Sequence, residues 1–268
     1  MAITPPPKLY KYQPYNVQTL DNLKNRRIWF SKTISFNDPF DGSTGFNMKQ
    51  ITEAEWQDLM DYFRNKWPNG SDDFDRIHLT DGKPNENLKA KVLGGFTQAR
   101  HNLINKLQGH GAACFSEKLD DVLMWAHYAE GDRGFCLEFD TKYPPFEKAQ
   151  QIQYSNSYPE VNIASIILNG DKYKSLPLLT IKSEHWSYEK EWRLLHEEGN
   201  KEFGIDVAAL TGIYLGCAMP FVHKEVIFLI LKDSPTKFYE MQRSETEYKL
   251  TPIYTDYTPY DYSKSKPR

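Results

Sequence analysis

The stretch WSYEKEWRLL, residues 186–195, places Glu189, Glu191 and Arg193 at every second position among aromatic and apolar residues. In a β-strand side chains alternate between faces, so the three charges share one face while Trp192 and Leu194 take the other. Carboxylates fixed on a rigid strand suit acid–base work or the stabilisation of a developing positive charge. The same pattern on an exposed edge strand needs no chemistry, and spacing alone leaves both readings open. A second group lies in CFSEKLDDVLMWAHYAEGDRGFCLEFD, residues 114–140. Ser116 ends a strand there, Asp120 or Asp121 caps a helix, and Trp125 and Tyr128 fall three apart on it, with His127 beside Tyr128. An aromatic face beside the turn that carries Arg133 can stack a planar heterocycle, or it can simply pack a core. A third group, SFNDPFD, holds Asn37 and Asp38 in a turn where they can bond their own backbone or a ligand.

The elements that must position these residues read as follows. KLYKY is a strand with Tyr10 and Tyr12 on one face and Lys11 on the other. Asn16 caps a helix through VQTLDNLKNR that buries Val17, Leu20 and Leu23, and RIWFS is a strand ending in Ser31. Residues from about 50 to 109 form a helical insert. TEAEWQDLMDYFRNKW starts from Thr52 with Glu55 at the capping-box spacing, and NENLKAKVLGGFTQARHNLINKL bends near Gly94–Gly95. AACFS, GFCLEFD, QIQYS, EWRLL, GIYLG, VIFLILK, FYEMQ and YKLTPIY are read as strands, with helices over LDDVLMWAHYA and EVNIASIILNG. This order predicts an α+β fold of mixed or antiparallel sheets with flanking helices, a single domain over 1–268 whose tail from about 260 to 268 is frayed.

Composition narrows the function classes. A net charge of −3 gives no global attraction to nucleic acid. The longest apolar run is too short to span a bilayer, so no membrane partner is expected. Three cysteines without a CxxC pair and an N-terminus without a signal peptide predict reduced thiols and a cytoplasmic protein. No GxGxxG or GxxxxGK[ST] occurs, which argues against a Rossmann or P-loop site, and neither HExxH nor GxSxG is present. The seven histidines are isolated, so no metal is expected. Cys136, on a strand, reads as a core residue.

The three segments, in this order, resemble the bacterial family known as domain of unknown function 2971. Its members share LYKY…N…LxNL…R…WFS…FNDPFD, then CFSE…MWAHYA…GFCLEFD, then K…WSYEKEWRL. More distantly, strand–helix–strand, a strand ending in Phe-Ser before a helix with a tyrosine, and a late E-x-E strand are similar to the ADP-ribosyltransferase fold. That resemblance implies an NAD-consuming transferase or NAD glycohydrolase with an ADP-ribosyltransferase-like core. It implies Glu191 as the catalytic glutamate, Glu189 as its acceptor-side companion, and Tyr128 as the tyrosine of the H-Y-E branch. Lys11 stands where the family carries a first-strand Arg or His, and no S-T-S triplet is present. The candidate dinucleotide contacts are Lys11, Tyr10, Ser31, Asn37, Asp38, Ser116, Trp125, His127, Tyr128, Arg133 and Arg193. The acceptor, protein or nucleic acid, is not indicated. The resemblance further implies a toxin or antiphage effector with a neutralising protein partner. Two alternatives stand beside it: a non-catalytic module that binds a nucleotide or a partner, and a metal-dependent nuclease using Asp38, Asp41 and the glutamates.

Overall fold

The computed structural model describes residues 3–41, 47–68, 71–169 and 176–256. The chain divides into two compact units. One holds Met1–Ser31, Gly111–Gln153 and Glu184–Arg268; the other holds Lys32–His110 and Tyr154–Ser183. In chain order the main elements are β1 (Lys8–Gln13), α1 (Val17–Lys24), β2 (Arg27–Lys32), α2 (Glu53–Lys66), α3 (Ser71–His78), α4 (Glu86–Gly109), β3 (Gly111–Ser116), α5 (Val122–Tyr128), β4 (Phe135–Asp140) and β5 (Gln150–Gln151). They continue with α6 (Ile163–Asn169), β6 (Glu191–His196), β7 (Lys201–Gly204), β8 (Leu210–Leu215), α7 (Phe221–Leu231), β9 (Lys237–Arg243) and β10 (Leu250–Tyr254). The expected α+β class with a mostly antiparallel sheet is what the fold shows.

The first unit is built on a ten-stranded sheet in the order β7-β2-β3-β1-β4-β8-β9-β10, with β6 on β3 and β5 on β6. Strand β1 runs antiparallel to β4 over its whole length, Lys8 opposite Asp140 to Gln13 opposite Phe135. On its other edge it meets β3 at Tyr10 opposite Ser116. Strand β3 gives its remaining edge to β6, Glu191 opposite Ser116 through His196 opposite Gly111. Alternation then sorts the side chains. Leu9, Phe115, Phe135, Phe139, Trp192 and Leu194 join one apolar cluster, closed by Ile227, Phe228 and Leu231 of α7. Tyr12, Cys136 and Tyr214 join a second cluster, closed by Met124, Trp125 and Ala129.

The caps form as the sequence indicates. Asn16 accepts from Thr19 N at 2.9 Å and Asp121 from Leu123 N at 2.9 Å, each satisfying an orphan amide of its helix. Other expectations fail. VIFLILK is not a strand but the body of α7, because β8 and β9 pair in parallel and a parallel pair requires a crossover. A short apolar run does not by itself distinguish the two. Val17 is 86% exposed, since it sits at the first helical position and only Leu23 of its proposed stripe is fully buried. QIQYS is broken into two short strands, Gln150–Gln151 and Gln153–Ser155. The predicted fraying at 260–268 lies outside the described residues.

The second unit is largely helical. Helix α2 carries the expected capping box, with Thr52 N donating to Glu55 Oε2 at 2.8 Å. Helix α4 runs unbroken for 24 residues through Gly94 and Gly95, which does not bear out the expected bend. Both glycines are exposed, and Leu88, Val92, Phe96 and Leu107 carry the buried stripe across them. Helix α3, absent from the sequence reading, buries Phe74 and His78. His78 is 1% exposed, its ring 4.9 Å from Trp67 and 5.1 Å from Phe74, and its Nδ1 has no hydrogen-bond partner. Burial, reinforced by Lys91 and opposed by Asp73, pulls its pKa below the usual 6.5. The unfolded chain therefore binds this proton more readily than the folded one. Stability is complete above the unfolded value and is lost as pH falls through the folded one. Between pH 7.5 and pH 5 we expect wild type to lose more thermal stability than His78→Leu; equal losses would show that His78 does not couple to folding.

Candidate functional site

Five of the residues singled out in the sequence lie together in the first unit as two hydrogen-bonded groups, Glu191–Arg193 and Ser116–Glu189–Tyr128, brought side by side by the pairing of Ser116 with Glu191. Arg193 donates from Nε to Glu191 Oε1 at 2.6 Å and from Nη2 to Oε2 at 3.0 Å. Both side chains point the same way from β6, as the i, i+2 spacing requires. Ser116, opposite Glu191 across the strands, donates from Oγ to the backbone carbonyl of Glu189 at 2.6 Å. Tyr128, at the end of α5, donates to Glu189 Oε1 at 2.6 Å. Residues Glu189, Glu191 and Arg193 are 2%, 3% and 0% exposed, which rules out the wet-edge reading.

One detail of the strand expectation is corrected. Residues Glu184–Glu189 form a 3₁₀ helix, and Lys190 takes a left-handed φ of 45° before β6 begins at Glu191. Glu189 therefore does not reach the cluster by strand alternation. The left-handed residue turns the chain so that Glu189 lies under Tyr128 while Glu191 and Arg193 follow on the strand.

The cluster has an aromatic rim that the sequence reading passed over. The Tyr188 ring lies 6.4 Å from His127 and 6.1 Å from Trp186, and His127 lies 6.3 Å from Tyr128. The signal was present, since Trp186 and Tyr188 stand two apart immediately before the glutamates. Cys114 was also missed. It pairs across the strands with Arg193, and its thiol is pushed up by burial first and by Glu191 second, which keeps it protonated. The same holds for the fully buried Cys136.

The other candidates lie elsewhere. Trp125 is 0% exposed, edge-on to Tyr12 at 5.3 Å, with Nε1 donating to the Leu119 carbonyl at 2.7 Å. Its ring is core, the second of the two roles its helix position allowed. Lys11 donates from Nζ to the Cys114 carbonyl at 3.1 Å and lies over the Phe115 ring, 5.2 Å from its centroid. It thus braces the place where β1 and β3 part. Burial lowers its pKa against an opposing pull that includes Glu191. Tyr10 belongs to a separate group around Glu138, which accepts from Lys8 Nζ at 2.8 Å, Tyr214 OH at 2.6 Å and Thr211 Oγ1 at 2.6 Å. Burial and Glu138 raise the Tyr10 phenol to about 12. Ser31 is half-buried on β2, with no hydrogen bond to the cluster among the described residues, and Arg133 is exposed on the turn after α5.

Asn37 and Asp38 belong to the second unit. Asp38 makes the expected turn, its Oδ1 accepting from Phe40 N at 2.9 Å, while its buried Oδ2 has no partner. Asp41 and Lys182 form a buried ion pair at 3.7 Å. Among the described residues no three His, Cys, Asp or Glu side chains are grouped to hold a metal, and no helix is long and apolar enough to cross a membrane.

Residues 124–194 match a family model described as protein of unknown function, DUF2971. The match runs from the middle of α5 into β6 and so contains Tyr128, Glu189, Glu191 and Arg193. It leaves out Ser116 and the first of the three sequence segments. No curated protein and no solved structure matches the chain, so the more distant resemblance to ADP-ribosyltransferases gains no support from either comparison.

Proposed function

We propose that the chain consumes NAD at the Ser116–Tyr128–Glu189–Glu191–Arg193 cluster, cleaving the nicotinamide–ribose bond and passing ADP-ribose to an acceptor. The observation that carries this reading is the cluster itself. Burying two carboxylates and a guanidinium costs several kcal/mol per ion before pairing, and an apolar patch of similar volume would serve stability as well or better. Groups retained against that cost are functional candidates. As nicotinamide leaves, positive charge develops on the ribose. A carboxylate fixed beside it stabilises that charge, as in glycoside hydrolysis. Glu191, held in one orientation by both of its hydrogen bonds to Arg193, is assigned that role. Glu189, oriented by Tyr128, is assigned the acceptor side, where it receives the proton of the attacking hydroxyl or amine. Tyr188 and His127 at the rim offer ring faces to the nicotinamide. The choice of NAD among nucleotides draws on the distant resemblance of the motif order to that of ADP-ribosyltransferases.

The test is incubation of purified protein with NAD, following nicotinamide release and NAD binding. We expect release that falls by about a hundredfold or more in Glu191→Gln, the scale for removing one preorganised electrostatic contact. Thermal melts show whether the variant folds, and Glu189→Gln, which leaves the Arg193 pair intact, provides an independent variant. Absence of both release and binding overturns the proposal. A second reading, a module that binds the nucleotide without cleaving it, draws on one observation: Arg193 engages both oxygens of Glu191 and offsets its charge. Binding without release selects that reading.

A further inference from the structure

We propose that the cleft between the C-terminal end of α7 and strands β9–β10 binds a mononucleotide, its ring against Tyr254 and its phosphate between Lys232 and Lys237. The cleft has a volume of about 390 Å³, and its described lining residues all belong to the first unit. That volume lies within the range of small-ligand pockets, about 300–1,000 Å³. Its floor is apolar, formed by Phe228 of α7 and Phe238 of β9, whose rings are 4.5 Å apart. One wall is Tyr254, 58% exposed, with its ring edge-on to Tyr239 at 5.9 Å and its hydroxyl donating to Asp256 Oδ1 at 2.6 Å. Both contacts fix the orientation of the ring while leaving most of it in solvent, which is what a planar ligand needs of a stacking partner.

The charges select an anion. Lys232 caps α7 and Lys237 begins β9, so the two lysines line the cleft from separate elements. Neither makes an ion pair among the described residues, whereas Lys224 on the same helix is paired with Glu240 at 2.7 Å. Asp256 is the one acid among the described lining residues. The carbonyl end of α7 also works against an anion. Two lysines are therefore needed to leave the cleft net positive, and losing either removes the excess. A planar ring joined to a phosphate matches the wall and the two cations together.

The experiment is calorimetric titration of the full chain with AMP, with adenosine and inorganic phosphate as separate arms. We expect AMP to bind, and each of the two fragments to bind at least about tenfold more weakly, because each loses one half of the recognition. Lys232→Glu, Lys237→Glu and Tyr254→Ala should each weaken AMP by about tenfold or more. These exposed positions leave the fold and any NAD cleavage unchanged, so the cleft and the Glu191 cluster fail or stand separately. No AMP binding, or binding indifferent to both lysine variants, overturns the proposal. Binding lost in Glu189→Gln but not in the lysine variants moves AMP to the other site and overturns it too.

Discussion

Arg193→Met should cost the protein about 3–5 kcal/mol of stability, a large share of the roughly 5–15 kcal/mol that holds a domain folded. Arg193 has no exposed surface and grips both oxygens of Glu191, itself 3% exposed. Removing the guanidinium leaves the carboxylate buried without that counter-charge. The partner substitution is the informative one. Arg193→Met combined with Glu191→Leu removes the pair together and should recover much of the loss, because desolvated pairs contribute little net stability over apolar residues of similar size. Urea denaturation of the two singles and the double gives the coupling directly. A single-variant loss below about 1 kcal/mol would mean that the pair is solvated and behaves as a surface salt bridge, and the argument for a functional cluster would fall with it.

How far the site could be read beforehand follows from the same geometry. Glu191, Arg193 and Ser116 were legible because they lie on paired strands, where a period of two decides which side chains meet. Tyr128 was legible because Asp121 caps its helix and thereby sets its phase. Glu189 was placed in the right company for the wrong reason, since nothing in EKE announces that Lys190 takes a left-handed conformation. Trp125 and Tyr128 look equivalent on a helical wheel; only the packing of α5 on Tyr12 buries the first and turns the second toward Glu189. Lys11 was named as a candidate dinucleotide contact, and in the fold its ammonium satisfies a backbone carbonyl where two strands separate. That role depends on where the sheet divides, and local pattern carries no information about it. The division of the chain into two units is similarly non-local, since each unit is assembled from segments far apart in sequence. α7 shows the limit most plainly: its apolar run became a helix because the strands on either side of it pair in parallel.

Two glycine-to-alanine substitutions should move stability in opposite directions, and the larger effect falls on the turn that positions Tyr128. Gly94 lies in the middle of α4 with nothing within 4 Å of where a Cβ would stand, so Gly94→Ala should stabilise by about 0.5–1 kcal/mol through helix propensity alone. At Gly216 a Cβ would stand 2.1 Å from the carbonyl oxygen of Asp132 and 2.8 Å from that of Gly134. Those are backbone atoms and cannot rotate away. The turn that contains them is itself constrained, with Glu130, Gly131 and Asp132 all at positive φ and Asp132 held by Arg243 at 2.9 Å. Gly216 N also donates to Gly134 O at 2.9 Å, so the two segments are bonded at the point where alanine would force them apart. We expect Gly216→Ala to cost about 3 kcal/mol or more, at the upper end of overpacking effects. The turn follows directly from α5, so whatever displacement relieves the clash is passed to Tyr128 and its bond to Glu189. Melting curves of the two variants against wild type decide the matter. If Gly216→Ala melts with Gly94→Ala above wild type, the turn is not held against β8, and the fixed geometry from which Tyr128 reaches Glu189 is lost as an explanation.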